Sequence, residues 1–185
     1  MSGHPSLVPP LPGPVAQRAA SVRLLALDVD GVLTDGTVWY GADGEALKGF
    51  HTLDGLGLRL LERGGVTTAL ISARESPPLR TRARDLAIPH VLIGRSDKVA
   101  AWEELLATTG IPAAEAAFMG DDLIDLGVLA RAGLALAVPD AHPAVHAAAH
   151  WVTNRAGGHG AVREAAELLL AARGSLDGLI AAHAR

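Results

Sequence analysis

Five aspartates, a serine and a lysine hold the chemistry this sequence can offer. Asp28 and Asp30 stand two apart before Gly31, Asp121 and Asp122 follow Gly120 with Asp125 close behind, and Ser72 and Lys98 lie between the two acidic groups. Carboxylates gathered at one place repel one another unless a cation or a proton offsets them, so either a metal sits among them or the cluster is not shared. An all-oxygen donor set, with no cysteine or histidine in the same motifs, suits Mg²⁺ rather than zinc or copper. Carboxylate, Mg²⁺, lysine and hydroxyl together suit phosphoryl transfer, because the metal and Lys98 remove the repulsion between an anionic nucleophile and a phosphate. Asp28 would attack phosphorus, and Asp30 would protonate the leaving oxygen and then activate water. Ser72 and the N–H groups around Gly31 would hold phosphate oxygens. Asp121 would complete the metal shell, with Asp122 and Asp125 as ligands, as water-mediated partners or as supports.

Taken singly, each of these residues has a plainer reading. A D-x-D at a strand end is commonly a turn or a helix cap, Ser72 alone a cap, Lys98 alone a solvated lysine, and Asp121-Asp122 the start of a helix. The case for catalysis rests on their order, which depends on the elements that must position them. Short apolar runs at Leu24–Asp30, Val66–Ile71, His90–Ile93, Ala116–Met119 and Leu134–Val138 alternate with amphipathic stretches near 54–63, 77–86, 97–109, 122–131 and 160–173. This is the rhythm of an α/β fold, a doubly wound parallel sheet with helices on both faces. Ligands in such sheets bind outside the carboxyl ends of the strands, where Asp28, Ser72, Lys98 and Asp121 fall at four successive strand–helix junctions. Gly36–Phe50 reads as a β-hairpin with Asp43-Gly44 at its turn, and His150–Thr153 as an added edge strand.

The chain has 185 residues, a size suited to one domain with a substantial core. Five prolines among the first fourteen residues predict an arm over 1–20, disordered or loosely docked, ahead of a single domain over 21–185. The formal net charge of −4 supplies no field for nucleic acid or an anionic membrane. The absence of cysteine excludes disulfides, thiolate metal sites and a cysteine nucleophile. No run reaches the ~18 apolar residues of a membrane span, and no signal peptide is evident, so the expected location is the cytoplasm. His142, His146 and His150 are spaced by four but interrupted by Pro143, and read as surface or interface residues. Trp39, Tyr40 and Phe50 place half of the aromatic side chains in a hairpin too small to bury them, which predicts a subunit interface.

Leu27-Asp28-Val29-Asp30-Gly31-Val32-Leu33-Thr34-Asp35-Gly36, Ser72, Lys98 and Gly120-Asp121-Asp122-Leu123-Ile124-Asp125 resemble the motifs of the haloacid dehalogenase superfamily. The resemblance runs from about Val22 to Gly174. It is closest to the capless subfamily of 3-deoxy-D-manno-octulosonate 8-phosphate (KDO 8-phosphate) phosphatases and their sialic-acid-pathway relatives, carried by Phe50, Asp54-Gly55-Leu56-Gly57, Asp140-Ala141-His142-Pro143 and the stretch Thr153 to Glu164. It implies a Mg²⁺-dependent phosphatase of a sugar phosphate, with Asp28 as nucleophile and Asp30 as acid and base. Asp28, the Asp30 carbonyl and Asp121 would bind the metal. Gly31, Thr34, Asp54, Arg74 and Arg155 become candidate substrate contacts. The subfamily forms tetramers in which hairpins and C-terminal tails of neighbours shape each site, and it serves lipopolysaccharide synthesis.

Two positions depart from the subfamily pattern. Ser72-Ala73-Arg74 stands where Thr-Gly-Arg is common, which keeps the hydroxyl, and His159 replaces a common arginine, which removes a permanent charge. The spacing leaves no room for a cap domain. A phosphomutase would need one to exclude water, carbon–halogen hydrolysis would need neither Asp30 nor a metal, and a non-catalytic assembly domain would not need the intact set.

Overall fold

A computed structural model describes residues 12–183. In chain order its elements are α1 (Gly13–Ser21), β1 (Leu24–Leu27), β2 (Trp39–Gly41), β3 (Gly44–Leu47), α2 (Thr52–Arg63), β4 (Thr67–Ser72), α3 (Pro77–Leu86) and β5 (His90–Ile93). There follow α4 (Lys98–Thr109), β6 (Ala116–Gly120), α5 (Leu126–Leu129), β7 (Leu134–Ala137), α6 (Pro143–Ala148), β8 (Trp151–Val152), α7 (Ala161–Ala172) and α8 (Leu176–His183), with 3₁₀ turns at Ala113–Glu115 and Leu123–Asp125. Six strands form one sheet in the order β5-β4-β1-β6-β7-β8, and every neighbouring pair is parallel.

The expected doubly wound sheet is therefore present. Its central strands read as unbroken apolar runs because helices cover both faces; all of β1 and β6 is buried. Packing between α2 and α7, α1 and α7, and α2 and α3 builds one layer, and packing between α4 and α5, and α5 and α6, the other. Trp102 of α4 lies edge-on against Phe118 of β6, ring centres 6.0 Å apart at 77°, which locks α4 onto the sheet. The chain runs outward from β1 through β4 to β5, then returns to β6 on the other side of β1. The carboxyl end of β1 is thus the switch point at which such sheets open a crevice.

Four details differ from the sequence-based expectation. β1 ends at Leu27 rather than Asp30, because only Asp28 extends the ladder, donating its N–H to Met119 O at 2.9 Å, before the chain bends at Val29. The hairpin turn falls one residue earlier, on Ala42 and Asp43; the positive φ of +111° belongs to Gly44, which pairs with Gly41. The helix expected over 122–131 is divided into the 3₁₀ turn and α5. Residues 13–20 are not a loose arm but lie in α1, where Val15 and Ala19 are buried and Arg18 Nη1 donates to Gly133 O at 2.6 Å. Pro14 fits there because a first-turn N–H has no helical acceptor to lose. Residues 1–11, the rest of the expected arm, lie outside the described residues. The edge strand near 150–153 is present as β8, and α6 and α8 were not anticipated.

Candidate active site

Asp28 sits one residue beyond β1 and is buried. Lys98 is the first residue of α4, which Asp97 caps by accepting from Ala100 N at 2.9 Å. A lysine there faces the positive end of the helix dipole, an arrangement that needs compensating anions. Two are present, with Lys98 Nζ at 2.7 Å from Asp28 Oδ1 and 2.6 Å from Asp125 Oδ1. Burial depresses the Lys98 ammonium, but the charges of Asp28 and Asp125 outweigh it and hold its pKa above the ordinary lysine value.

Asp121 arrives from the end of β6, the strand beside β1. Asp28, Asp121 and Asp125 each place a carboxylate oxygen within 4.8 Å of the others. Burial first, and then the charge of Asp125, push the Asp28 pKa well above the usual carboxylate range, with Lys98 opposing. Burial first, and then the Asp125 and Asp122 charges, push Asp121 up to about 6, against the charge of Lys98. Asp121 Oδ1 is buried without a hydrogen-bond partner. With only Lys98 opposite three carboxylates, the cluster keeps an excess negative charge that a divalent cation would cancel, and its oxygen donors suit Mg²⁺. The residues fit the metal, with Asp28 and Asp121 best placed to hold it.

Asp125 and Asp122 act differently from Asp121. Asp125 has no exposed surface; beyond Lys98, its Oδ2 accepts from Asp121 N at 3.0 Å and Asp122 N at 3.2 Å. It holds both the lysine and the acidic loop. Asp122 is exposed and caps the following turn through Leu123 N at 2.7 Å.

The turn after Asp28 is shaped by close backbone approaches. Val29 O accepts from Leu33 N and Thr34 N, and Gly31 takes a φ of +91°. A Cβ on Gly31 would lie 2.0 Å from Asp121 Oδ2, so only glycine lets the two loops meet. The tail loop packs on the same turn: Gly158 N donates to Val32 O at 3.0 Å, and a Cβ on Gly157 would lie 1.7 Å from Gly31 O.

Asp30 is on this turn rather than on a strand face with Asp28, and it meets different partners. Lys48, next after β3, donates to Asp30 Oδ1, and Arg74 Nε lies 3.9 Å from Asp30 Oδ2. Glu45 joins both cations, its Oε2 being 3.5 Å from Lys48 Nζ and 3.8 Å from Arg74 Nε, and its Oε1 accepts from Ser76. Arg74 also donates to the Tyr40 hydroxyl at 2.6 Å. Glu45 and Lys48 were not among the sequence candidates; the available signal was a charged pair three apart in a hairpin that follows the acidic motif.

Of the remaining candidates, Ser72 is the last residue of β4 and is buried, with its hydroxyl against Arg74 N at 3.2 Å. Thr34 is fully buried, and its hydroxyl accepts from Gly36 N at 3.2 Å. Asp54 is buried between α2 and α7, where Oδ1 accepts from Arg163 N at 2.8 Å. Burial first raises its pKa, against that hydrogen bond. Arg155 lines a separate cavity with Leu53, Asn154, Arg163, Glu164 and Glu167; Arg163 pairs with Glu167, while Arg155 has no ion-pair partner among the described residues. The three histidines are structural. His142 caps α6, His146 Nε2 bonds Val138 O, and His150 Nδ1 accepts from Ala135 N.

Comparison with known proteins agrees with this geometry. A family model for haloacid dehalogenase-like hydrolases matches residues 87–164. The 3-deoxy-D-manno-octulosonate 8-phosphate phosphatase KdsC of Yersinia pestis is 48% identical over 170 residues, covering 90% of this chain and 91% of the relative. That of Escherichia coli K12 is 44% identical over 168 residues, covering 91% and 89%. The crystal structure of the Moraxella catarrhalis phosphatase, in complex with magnesium, phosphate and KDO, superposes with a TM-score of 0.89 at 38% identity, covering 91% of this chain and 97% of that one. With its sheet, its carboxylate–lysine cluster and these relatives in agreement, the chain belongs to the haloacid dehalogenase-like hydrolases, in the family of the KDO 8-phosphate phosphatases.

Proposed function

We propose that this chain is a Mg²⁺-dependent phosphomonoesterase that hydrolyses KDO 8-phosphate through an aspartyl phosphate on Asp28. The observation that carries the reading is the buried contact of Lys98 with Asp28 beside the unpartnered Asp121 oxygen, at the switch point of the sheet. The substrate is taken from the relatives, whose names specify that sugar acid phosphate.

Asp28 and Asp121, with the main-chain carbonyl of Asp30, would hold the metal. When bound, Mg²⁺ supplies positive charge against the phosphate oxygens and favours the ionised carboxylates. Lys98 holds Asp28 in place and adds its own charge on the phosphate side. Asp28 forms a bond to phosphorus as the bond to the sugar oxygen breaks, and Asp30 gives that oxygen its proton. Water then attacks the same phosphorus and returns a proton to Asp30; the bond to Asp28 breaks, releasing inorganic phosphate. Ser72 and the N–H of Gly31 would steady phosphate oxygens, and Arg74 would meet the substrate beside Asp30.

Recognition belongs to an assembly in this reading. Trp39 and Tyr40 are 59% and 68% exposed, with Leu47 at 66% beside them, a surface suited to cover by neighbouring copies in a homotetramer, whereas Phe50 is partly buried against the core of its own chain. Arg155 is the candidate for the sugar carboxylate. No helix among the described residues is long and apolar enough to cross a membrane, and we place the enzyme in the cytoplasm. Phosphate release from KDO 8-phosphate with Mg²⁺, against the same assay in EDTA, tests the function. Absence of metal-dependent release would overturn it.

A further inference from the structure

We propose that Lys48, held by Glu45, is the positioning residue for Asp30, so that the hairpin is part of the proton-transfer machinery as well as a surface. This rests on the phosphatase reading above. Asp30 lies on a turn, its side chain is 20% exposed, and among the described residues its carboxylate pairs with Lys48 and Arg74. The Lys48 side chain, by contrast, is 1% exposed. A lysine is buried at a large desolvation cost unless charged partners surround it. The partners here are Asp30 and Glu45, and Glu45 is itself anchored by the Ser76 hydroxyl at the start of α3.

The two oxygens of Asp30 therefore face two different cations, Lys48 at Oδ1 and Arg74 at Oδ2, and Glu45 Oε2 lies within 4 Å of both cations. That arrangement fixes the rotation of the carboxyl about its side chain. A general acid works only if its proton lies within hydrogen-bond reach of the leaving oxygen, so rotation is what Lys48 controls. A plain tether between hairpin and domain would give the same contacts, and the two roles separate by leaving group. A sugar alkoxide needs the proton of Asp30 to depart, whereas p-nitrophenolate leaves without one.

The test is kcat/KM, which reports the step that expels the leaving group, for KDO 8-phosphate and for phenyl phosphates ranging from nitro-substituted to unsubstituted, with Mg²⁺ present. For Lys48→Met, the value for KDO 8-phosphate should fall by about 100-fold, the low end of a general acid's contribution. The fall for p-nitrophenyl phosphate should be much smaller, and dependence on the leaving group should steepen across the series. Lys48→Arg should recover most of the loss. Glu45→Gln should show the same ordering with a smaller amplitude, and it carries the test if Lys48→Met does not fold. Equal losses on every substrate, in variants whose unfolding temperature is unchanged, would overturn the inference and leave the phosphatase reading intact. A wild-type protein inactive on all of them would overturn both.

Discussion

At the carboxyl end of β1 the charged groups come from one sheet and the helix behind it. Asp28, Asp121 and Lys98 are set by β1, β6 and the first residue of α4; Asp125 accepts from both Lys98 and Asp121 N, and Lys98 reaches Asp28. At the hairpin, β2 and β3 pair, among the described residues, only with each other, their outer residues are exposed, and ion pairs of Lys48, Glu45 and Arg74 link them to the domain. Parallel strands buried on both faces cannot shift register without repacking side chains against the helices on both sides, so the first region is held from within. An isolated two-stranded hairpin is marginal in water, so the second depends on polar tethers and on whatever covers its apolar face. On the function proposed above, bond-making chemistry would be complete in one chain, and substrate recognition would draw on a surface that one chain leaves open.

The largest test of that contrast is chelation. EDTA should reduce hydrolysis to background and added Mg²⁺ should restore it, with no change in mass by light scattering. Mg²⁺ should also raise the unfolding temperature, more at pH 8 than at pH 4.5. With its folded-state pKa raised from 3.8 to about 6, Asp121 withdraws stability from the metal-free protein as pH rises between those values, and a bound cation returns it. A shift that is larger at low pH would contradict the charge-crowded site.

Asp28→Asn keeps the shape of the proposed nucleophile and removes its charge. Activity should drop by at least ~10³-fold on both KDO 8-phosphate and p-nitrophenyl phosphate, with assembly unchanged. More than about a tenth of wild-type activity would remove Asp28 from the role of nucleophile.

Arg155→Ala probes recognition. Losing a charged hydrogen bond should raise KM for KDO 8-phosphate by roughly tenfold or more, with a smaller change for p-nitrophenyl phosphate, which has no carboxylate. Equal changes would place Arg155 outside recognition.

Changes on the hairpin should invert the pattern of Asp28→Asn. Trp39→Ser with Leu47→Asp should lower the mass seen by light scattering and weaken KDO 8-phosphate hydrolysis several-fold, while p-nitrophenyl phosphate turnover falls less. A fully active monomer would break the comparison outright.

The smallest effect lies at the far edge of the sheet. Burial first, and then the charge of Arg18, lower the His150 pKa from 6.5, so the ring prefers its neutral form when folded. Its stabilising contribution is present above 6.5 and is lost as pH falls from 6.5 through the lower folded-state value. An NMR titration should place the midpoint below 6.5, and Arg18→Ala should bring it back toward 6.5.

The residues of the sequence were not equally informative. Apolar runs such as Leu24–Leu27 and Ala116–Gly120 were legible because burial on both faces demands them over a whole strand. α1 was hidden by its prolines, although proline at a helix start is compatible with the helix. Asp28, Lys98 and Asp121 were legible as a set because strand ends of a parallel sheet converge wherever the loops between them are short. Thr34 and Asp54 were read as substrate contacts from motif position alone, and the structure turns both toward backbone N–H groups.

What the sequence determined by itself was therefore the set of groups that parallel strand ends deliver to one crevice, since period and order along the chain imply that convergence. Which carboxylate meets which cation was decided only in three dimensions. Asp28 and Asp30 are two residues apart, yet the bend at Val29 sends one to Lys98 and Asp121 and the other to Lys48, Arg74 and Glu45. A turn breaks the alternation by which a strand reports the direction of its side chains, so no pattern in the sequence could assign those partners.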